Sequence, residues 1–122
     1  MKASYEKRYS ILLNSLSAGI VVYDTDTKII DYNQKAKEVL GLNDESLTDI
    51  HILPVNYYFV NEEDERLPVD SFPVNQILRK GGSVAEQIIG IRHKNDHSAA
   101  WYRVSGLPIT DKKGEICEVM IS

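Results

Sequence analysis

The chain of 122 residues is 43% hydrophobic and carries one cysteine, so it can bury a single core without disulfides or structural metal. A net charge of -4, with lysines and arginines scattered along the chain, gives no basic patch for nucleic acid or an anionic membrane. The sequence holds no apolar run of about 18 residues for a membrane-spanning helix and no signal-peptide pattern, while the lone Cys117 fits a reducing cytoplasm.

Residues 1–17 are expected to form an amphipathic N-terminal helix, with Tyr5, Tyr9, Leu12 and Leu16 on one stripe. Such a stripe can seat on the chain's own sheet or against a second copy. The domain proper then covers residues 18–122. Residues 19–24 and 28–33 flank the turn Thr25-Asp26-Thr27 and read as a hairpin. Asn33 is placed to cap a helix from Gln34 to Leu40 that stops at Gly41. Asn43 would cap a helical turn over 44–48, and residues 49–58, with Pro54 and no clean period, read as irregular turn and loop.

Four carboxylates follow Asn61, at Glu62, Glu63, Asp64 and Glu65. They lack the alternating ligands and glycine of a calcium loop and read as solvated surface. Asp70 is the expected cap of a helix over 71–80, with Pro73 in its first turn and Gly81-Gly82 as its stop. A strand over 83–93, a turn over 94–97 and a long hairpin complete the chain. In that hairpin, a run containing Trp101 and a run from Ile116 to Ile121 flank the turn residues Asp111 to Gly114. Sequence neighbours pair, which makes one antiparallel sheet of five strands with short helices on one face, an α+β architecture. The closing residues EVMIS stop inside a strand, and we expect the chain to be a module of a longer protein.

Three stretches in order, LLNSLSAGIVVYDTDTKIIDYNQKAKEVLGL, LPVDSFPVNQILRKGG, and IRHKND followed by WYRVSGLPITDKKGEI, resemble a PAS domain of the sensory-box type. The resemblance extends from about Asn14 to Ser122 and is similar to sensors that precede diguanylate cyclase or histidine kinase domains. It implies the PAS fold, with a small cavity between sheet and helices. Light-sensing relatives need a reactive cysteine that SLTDIHILP lacks, and haem-binding relatives a histidine that the helix ending at Lys80 lacks. The resemblance therefore argues against both cofactors and leaves any other unknown. His51 lies elsewhere, and His93 and His97 read as surface residues.

Strand alternation puts Tyr102, Val104 and Gly106 on one face and Trp101, Arg103 and Ser105 on the other, and the resemblance implies that the first set faces inward. The same register offers Val21, Tyr23, Ile30, Tyr32, Ile88, Gly90, Arg92, Cys117, Val119 and Ile121, with Ile77 joining them from the helix. A slip of one residue would invert any of these sets. Arg92, with Tyr102 and Tyr23, is the group of interest. Directed inward, its guanidinium would need a carboxylate or other anion, held bidentately; the alternative is that it snorkels to solvent. Trp101 on the opposite parity, with Ile89, Ile91 and Met120 near it, would form an apolar patch that a monomer seldom leaves uncovered. That face, with Tyr5, Tyr9, Leu12 and Leu16, is the expected homodimer interface.

The resemblance implies a sensory module that dimerises, binds a small ligand and controls a C-terminal output domain, diguanylate cyclase first and histidine kinase second. The alternative is a ligand-free structural spacer. No GxSxG, HExxH, phosphate-binding glycine loop or cysteine and histidine cluster occurs, so no catalysis is expected of the chain itself.

Overall fold

The computed structural model describes residues 2–40, 57–93 and 98–122. The expected turn over 44–48 with its Asn43 cap, His51, and the turn over 94–97 with His97 lie outside the described residues, as does the side chain of Tyr5. In chain order the elements are α1 (Lys2–Ser15), β1 (Val21–Asp24), β2 (Ile29–Tyr32), α2 (Gln34–Leu40), β3 (Tyr57–Val60), a 3-10 turn (Val69–Ser71), α3 (Pro73–Lys80), β4 (Val84–His93), β5 (Ala99–Thr110) and β6 (Ile116–Ile121). The strands form a single antiparallel sheet in the order β2-β1-β6-β5-β4-β3.

The sheet has six strands where five were expected. The extra one is β3, Tyr-Tyr-Phe-Val, whose aromatic and β-branched residues suit a pleated surface. It pairs with the far end of β4, Phe59 opposite Ile91 and Val60 opposite Gly90. Four residues are too few to display a period, which is why the sequence reads there as loop.

Asn33 behaves as its position predicts, and does more. It is 1% exposed. Its Oδ1 accepts the Ala36 N–H at 2.9 Å, the N-cap bond of α2, and also the Ile20 N–H at 2.9 Å. Its Nδ2 donates to the carbonyls of Leu13 and Ala18, both at 2.8 Å. One amide thus ties the end of α1, the connection to β1 and the start of α2 to the end of β2. Held there, α1 lays Leu13 onto Ile20 and Val22, with Met120 packed alongside, while Ile11, Leu12 and Leu16 are exposed. The helix is apolar on more than one side; Leu13, outside the expected stripe, seats it on the sheet, and Tyr9 of that stripe, 43% exposed, bonds the Asp31 carboxylate of β2.

Asp70 does not cap α3. It lies in the 3-10 turn, the N-cap is Phe72 without a side-chain bond, and Pro73 takes the first helical position, where its missing N–H costs nothing. The helix ends as predicted at Gly81, whose left-handed backbone lets its N–H bond the Ile77 carbonyl at 2.8 Å. Pro73, Val74 and Ile77 are its buried face.

Three connections share one five-residue turn: 24–28, 61–65 and 111–115. In each, the first side chain (Asp24, Asn61 or Asp111) accepts from the N–H groups two and four residues on, at 2.8–3.0 Å. In each, the fourth residue has positive φ: Thr27 at 65°, Asp64 at 64° and Gly114 at 83°. The acidic stretch is therefore a tight turn on the same plan as the two hairpin turns. A β-branched residue at the left-handed position is the poorest of the three choices.

Two outcomes follow for stability. Replacing Thr27 by Gly relieves the strained backbone and should raise unfolding free energy by up to about 1 kcal/mol, whereas Gly114→Ala should lower it by about the same amount. Urea midpoints at unchanged slope would read both, and a destabilised Thr27→Gly would refute the strain. Asn33→Ala leaves two buried N–H groups and two carbonyls without their partner, and we expect a loss of about 2–4 kcal/mol in the same measurement. Asn33→Asp should lose nearly as much, since its oxygen would face the Leu13 and Ala18 carbonyls without a donor.

Candidate functional site

The inner face of the sheet and the helices enclose a cavity of about 230 Å³. Its floor is Val21 and Tyr23 of β1, Ile89 and Ile91 of β4, Tyr102 and Val104 of β5, and Ile121 of β6. Ala36, Val39 and Leu40 of α2, Phe72 to Val74 at the start of α3, and Phe59 of β3 supply the rest of the wall. Phe59 and Phe72 meet edge to face with centroids 4.9 Å apart, which joins the added strand to the helical side. The exposed Ser17, Ala18, Lys35, Arg103 and Ser122 lie at the margin. Ser122 continues the β5–β6 ladder, exchanging backbone bonds with Ser105 at 2.9 and 3.0 Å.

Of the residues expected to line a cavity, Val21, Tyr23, Tyr102, Val104 and Ile121 do so. Ile77 and Val119 are fully enclosed in the core beyond it, and Tyr32 packs half-buried against that core. Gly106 faces inward too, since a Cβ there would meet Ile77 and Ile121.

Ile30, Ile88, Gly90, Arg92 and Cys117 point away from the cavity, and each lies at or beyond a bulge. The β1–β2 register passes from Val22 opposite Asp31 to Tyr23 opposite Ile29, so Ile30 is the unpaired extra residue and is exposed. In β4 the register shifts between Val84 and Gln87. Val84 faces the core, and past the shift it is Ile89 and Ile91 that turn inward, while Ile88 is 38% exposed. A third shift, between Ile109 and Thr110, leaves Cys117 exposed with its Sγ 3.2 Å from the Ile109 carbonyl. One inserted residue reverses the face of everything after it.

The same shift removes Ile89 and Ile91 from the expected interface: both are buried. Met120 is half-buried against the cluster that Leu13 seats. Trp101 stays on the outer face, 46% exposed, lying flat over Gly90, where a Cβ would come within 2.8 Å of the indole and of Val60. The outer surface thus presents Trp101, Ile88 and Leu107 on the sheet and Leu12 and Leu16 at α1.

Arg92 does not enter the cavity, because its parity is outward. Its Nε and Nη2 hold both oxygens of Asp64 at 2.6 and 2.7 Å, across from the acidic turn. The fork-to-fork bond holds the Asp64 carboxyl below its usual range and raises the guanidinium. The positive φ of Asp64 is what presents its carboxylate to β4.

The phenol of Tyr23 is the group that the cavity holds back. Burial pushes its pKa well above the ordinary tyrosine value, so the hydroxyl is protonated throughout the neutral range. Beside it the wall is aliphatic and aromatic. A wall of that composition favours neutral, apolar occupants.

The PAS domain family matches residues 7–72, more than half of the chain. Among solved structures, the PAS domain of a Colwellia psychrerythraea protein is 16% identical, covering 96% of this chain and 92% of its own, with a TM-score of 0.60. The PAS domain of nitrogen regulation protein NR(II) from Vibrio parahaemolyticus is 15% identical over 93% of both chains, also at 0.60. That of the fruit-fly ELK potassium channel is 10% identical over 97% of this chain and 94% of its own, at 0.65. No curated protein matches the sequence. These structures share the fold of this chain, and the family match over more than half of its length shows that the chain belongs to the PAS domain family.

Proposed function

We propose that the chain is a sensory and regulatory module that dimerises, takes a small molecule into its cavity and controls an output domain following it in the same cytoplasmic protein. Diguanylate cyclase is the first expectation for that domain and histidine kinase the second. The observation that carries the reading is the composition of the cavity wall. It includes residues 17–19, which lead from α1 into β1, and Ile121 and Ser122 at the end of β6. An occupant touches both routes by which the domain joins its neighbours. Its free energy of binding then biases whichever packing of those segments it fits better.

The dimer rests on the outer face. Trp101, Ile88, Leu12 and Leu16 are large apolar groups left in water by a chain that buries the rest of its core well. A second copy that covered them would bury area that favours association by roughly 25 cal/mol per Å² before the costs of ordering.

Native mass spectrometry of the protein as purified, under gentle and denaturing conditions, reads both claims at once. We expect a dimer with an added mass that is lost on denaturation. A ligand-free dimer would leave a structural spacer as the function. A clean monomer across micromolar concentrations would refute dimerisation. Leu12→Glu places a charge in the exposed patch and should weaken self-association by roughly ten-fold or more. The monomer fold should survive, since Leu12 is 65% exposed.

A further inference from the structure

We infer that the cavity selects a compact, neutral, mainly apolar molecule whose one polar group, a hydroxyl or carbonyl, bonds the phenol of Tyr23. The inference rests on the ligand-binding reading above and adds the chemistry of the ligand. Tyr23 is 8% exposed and lines the cavity. Its hydroxyl has no hydrogen-bond partner among the described residues, and no charged neighbour contributes to its raised pKa. Among those residues, no fully enclosed side-chain nitrogen or oxygen is left unpaired. The Tyr23 oxygen therefore borders open space, and the space Tyr23 lines is the cavity. A buried hydroxyl is normally satisfied, and here what would satisfy it is an occupant.

Charge and size narrow the class. The cation that could have held a buried anion, Arg92, is outside and bonded to Asp64. Lys35 and Arg103 are both exposed, so an anion inside would lose its hydration without a buried counter-charge among the described residues. A cavity of about 150 Å³ holds benzene, so by proportion 230 Å³ suits roughly nine non-hydrogen atoms, the size of a small aryl ketone or bicyclic aromatic.

The test uses three probes of equal size on the intact protein: acetophenone, which offers a carbonyl, isopropylbenzene, which offers nothing polar, and benzoate, which is charged. Calorimetry and thermal shift at neutral pH should rank acetophenone several-fold above isopropylbenzene, with no binding of benzoate. Tyr23→Phe should reduce acetophenone affinity roughly ten-fold and leave isopropylbenzene unchanged. The unliganded variant should melt where the parent does, because the hydroxyl it loses has no partner. Should that variant fail to fold, the acetophenone preference of the unaltered protein still decides. Preference for benzoate, or equal loss of both neutral probes in Tyr23→Phe, overturns the inference. If no probe binds while native mass spectrometry shows a co-purified mass, this chemistry is wrong and the sensor reading stands. If neither appears, both fall.

Discussion

The amide of Asn33 is the constraint on which the arrangement depends. Four bonds, two accepted and two donated, join peptide groups that are 13 to 20 residues distant on one side and three on the other. None of those groups has a strand partner in the place where it lies, and buried peptide groups without partners are costly. The side chain must also be an amide. A carboxylate would lack donors for the Leu13 and Ala18 carbonyls, and a hydroxyl has only one. The requirement to satisfy the peptide at both ends of one connection therefore fixes where α1 lies. It also fixes which of the helix's apolar residues reaches the sheet, and Leu13 does so while Leu12 does not.

Turn chemistry carries a second share of the specification. Asp24, Asn61 and Asp111 each close a turn by accepting from the same two N–H positions, so the hairpin registers are set by short polar side chains before packing is counted. In the middle turn the left-handed residue is an aspartate, and its carboxylate is spent on Arg92 of the neighbouring strand. That pair is exposed and contributes little free energy. Its consequence is geometric, because it holds one strand cation away from the cavity, while the other, Arg103 of β5, is exposed at the cavity's margin.

Much of the fold was legible because its signals are local. The first hairpin, the Asn33 cap, the Gly81 stop and the grouping of Tyr102, Val104 and Gly106 on one face all follow from residue types within a few positions, while the family resemblance said which face is inward. Three things were not. The strand over 57–60 is too short to show its period, and its partner lies some thirty residues on. Leu13 earns its burial from Asn33, twenty residues away, rather than from the helical stripe. The candidate site suffered most, since alternation is only as good as the register. Ile30 and Cys117 are themselves the extra residues of their bulges and Arg92 sits past one, and no composition announces any of the three. The weak cue was paired glutamines: Gln87, just after the β4 shift, exchanges side-chain bonds with Gln76 of α3 at 3.0 and 3.2 Å, so the polar residue on that inward parity had its partner.

The bulges matter beyond bookkeeping, because they decide what sort of cavity the sheet can offer. Had β4 kept its parity past Val84, Ile88 and Arg92 would face inward and the interior would hold a cation. With the shift, Ile89 and Ile91 fill those places, and among the described residues the inward polar groups lining the cavity floor are the phenols of Tyr23 and Tyr102. A space of this kind gains its selectivity from exclusion: charged solutes lose hydration on entry, and neutral ones are sorted by size and by whether they meet a single hydroxyl. Its wall is also the place where the Asn33-bound connection and the end of β6 come together. An occupant too large for the space would have to displace one of them. The connection is held by hydrogen bonds at both ends, whereas Ser122 is held to β5 by two backbone bonds at the sheet's exposed end. Ile121, next to it, is laddered on both sides, to Val21 of β1 and to Gly106 of β5, so both boundaries of the cavity are tied into the sheet and neither moves without breaking bonds.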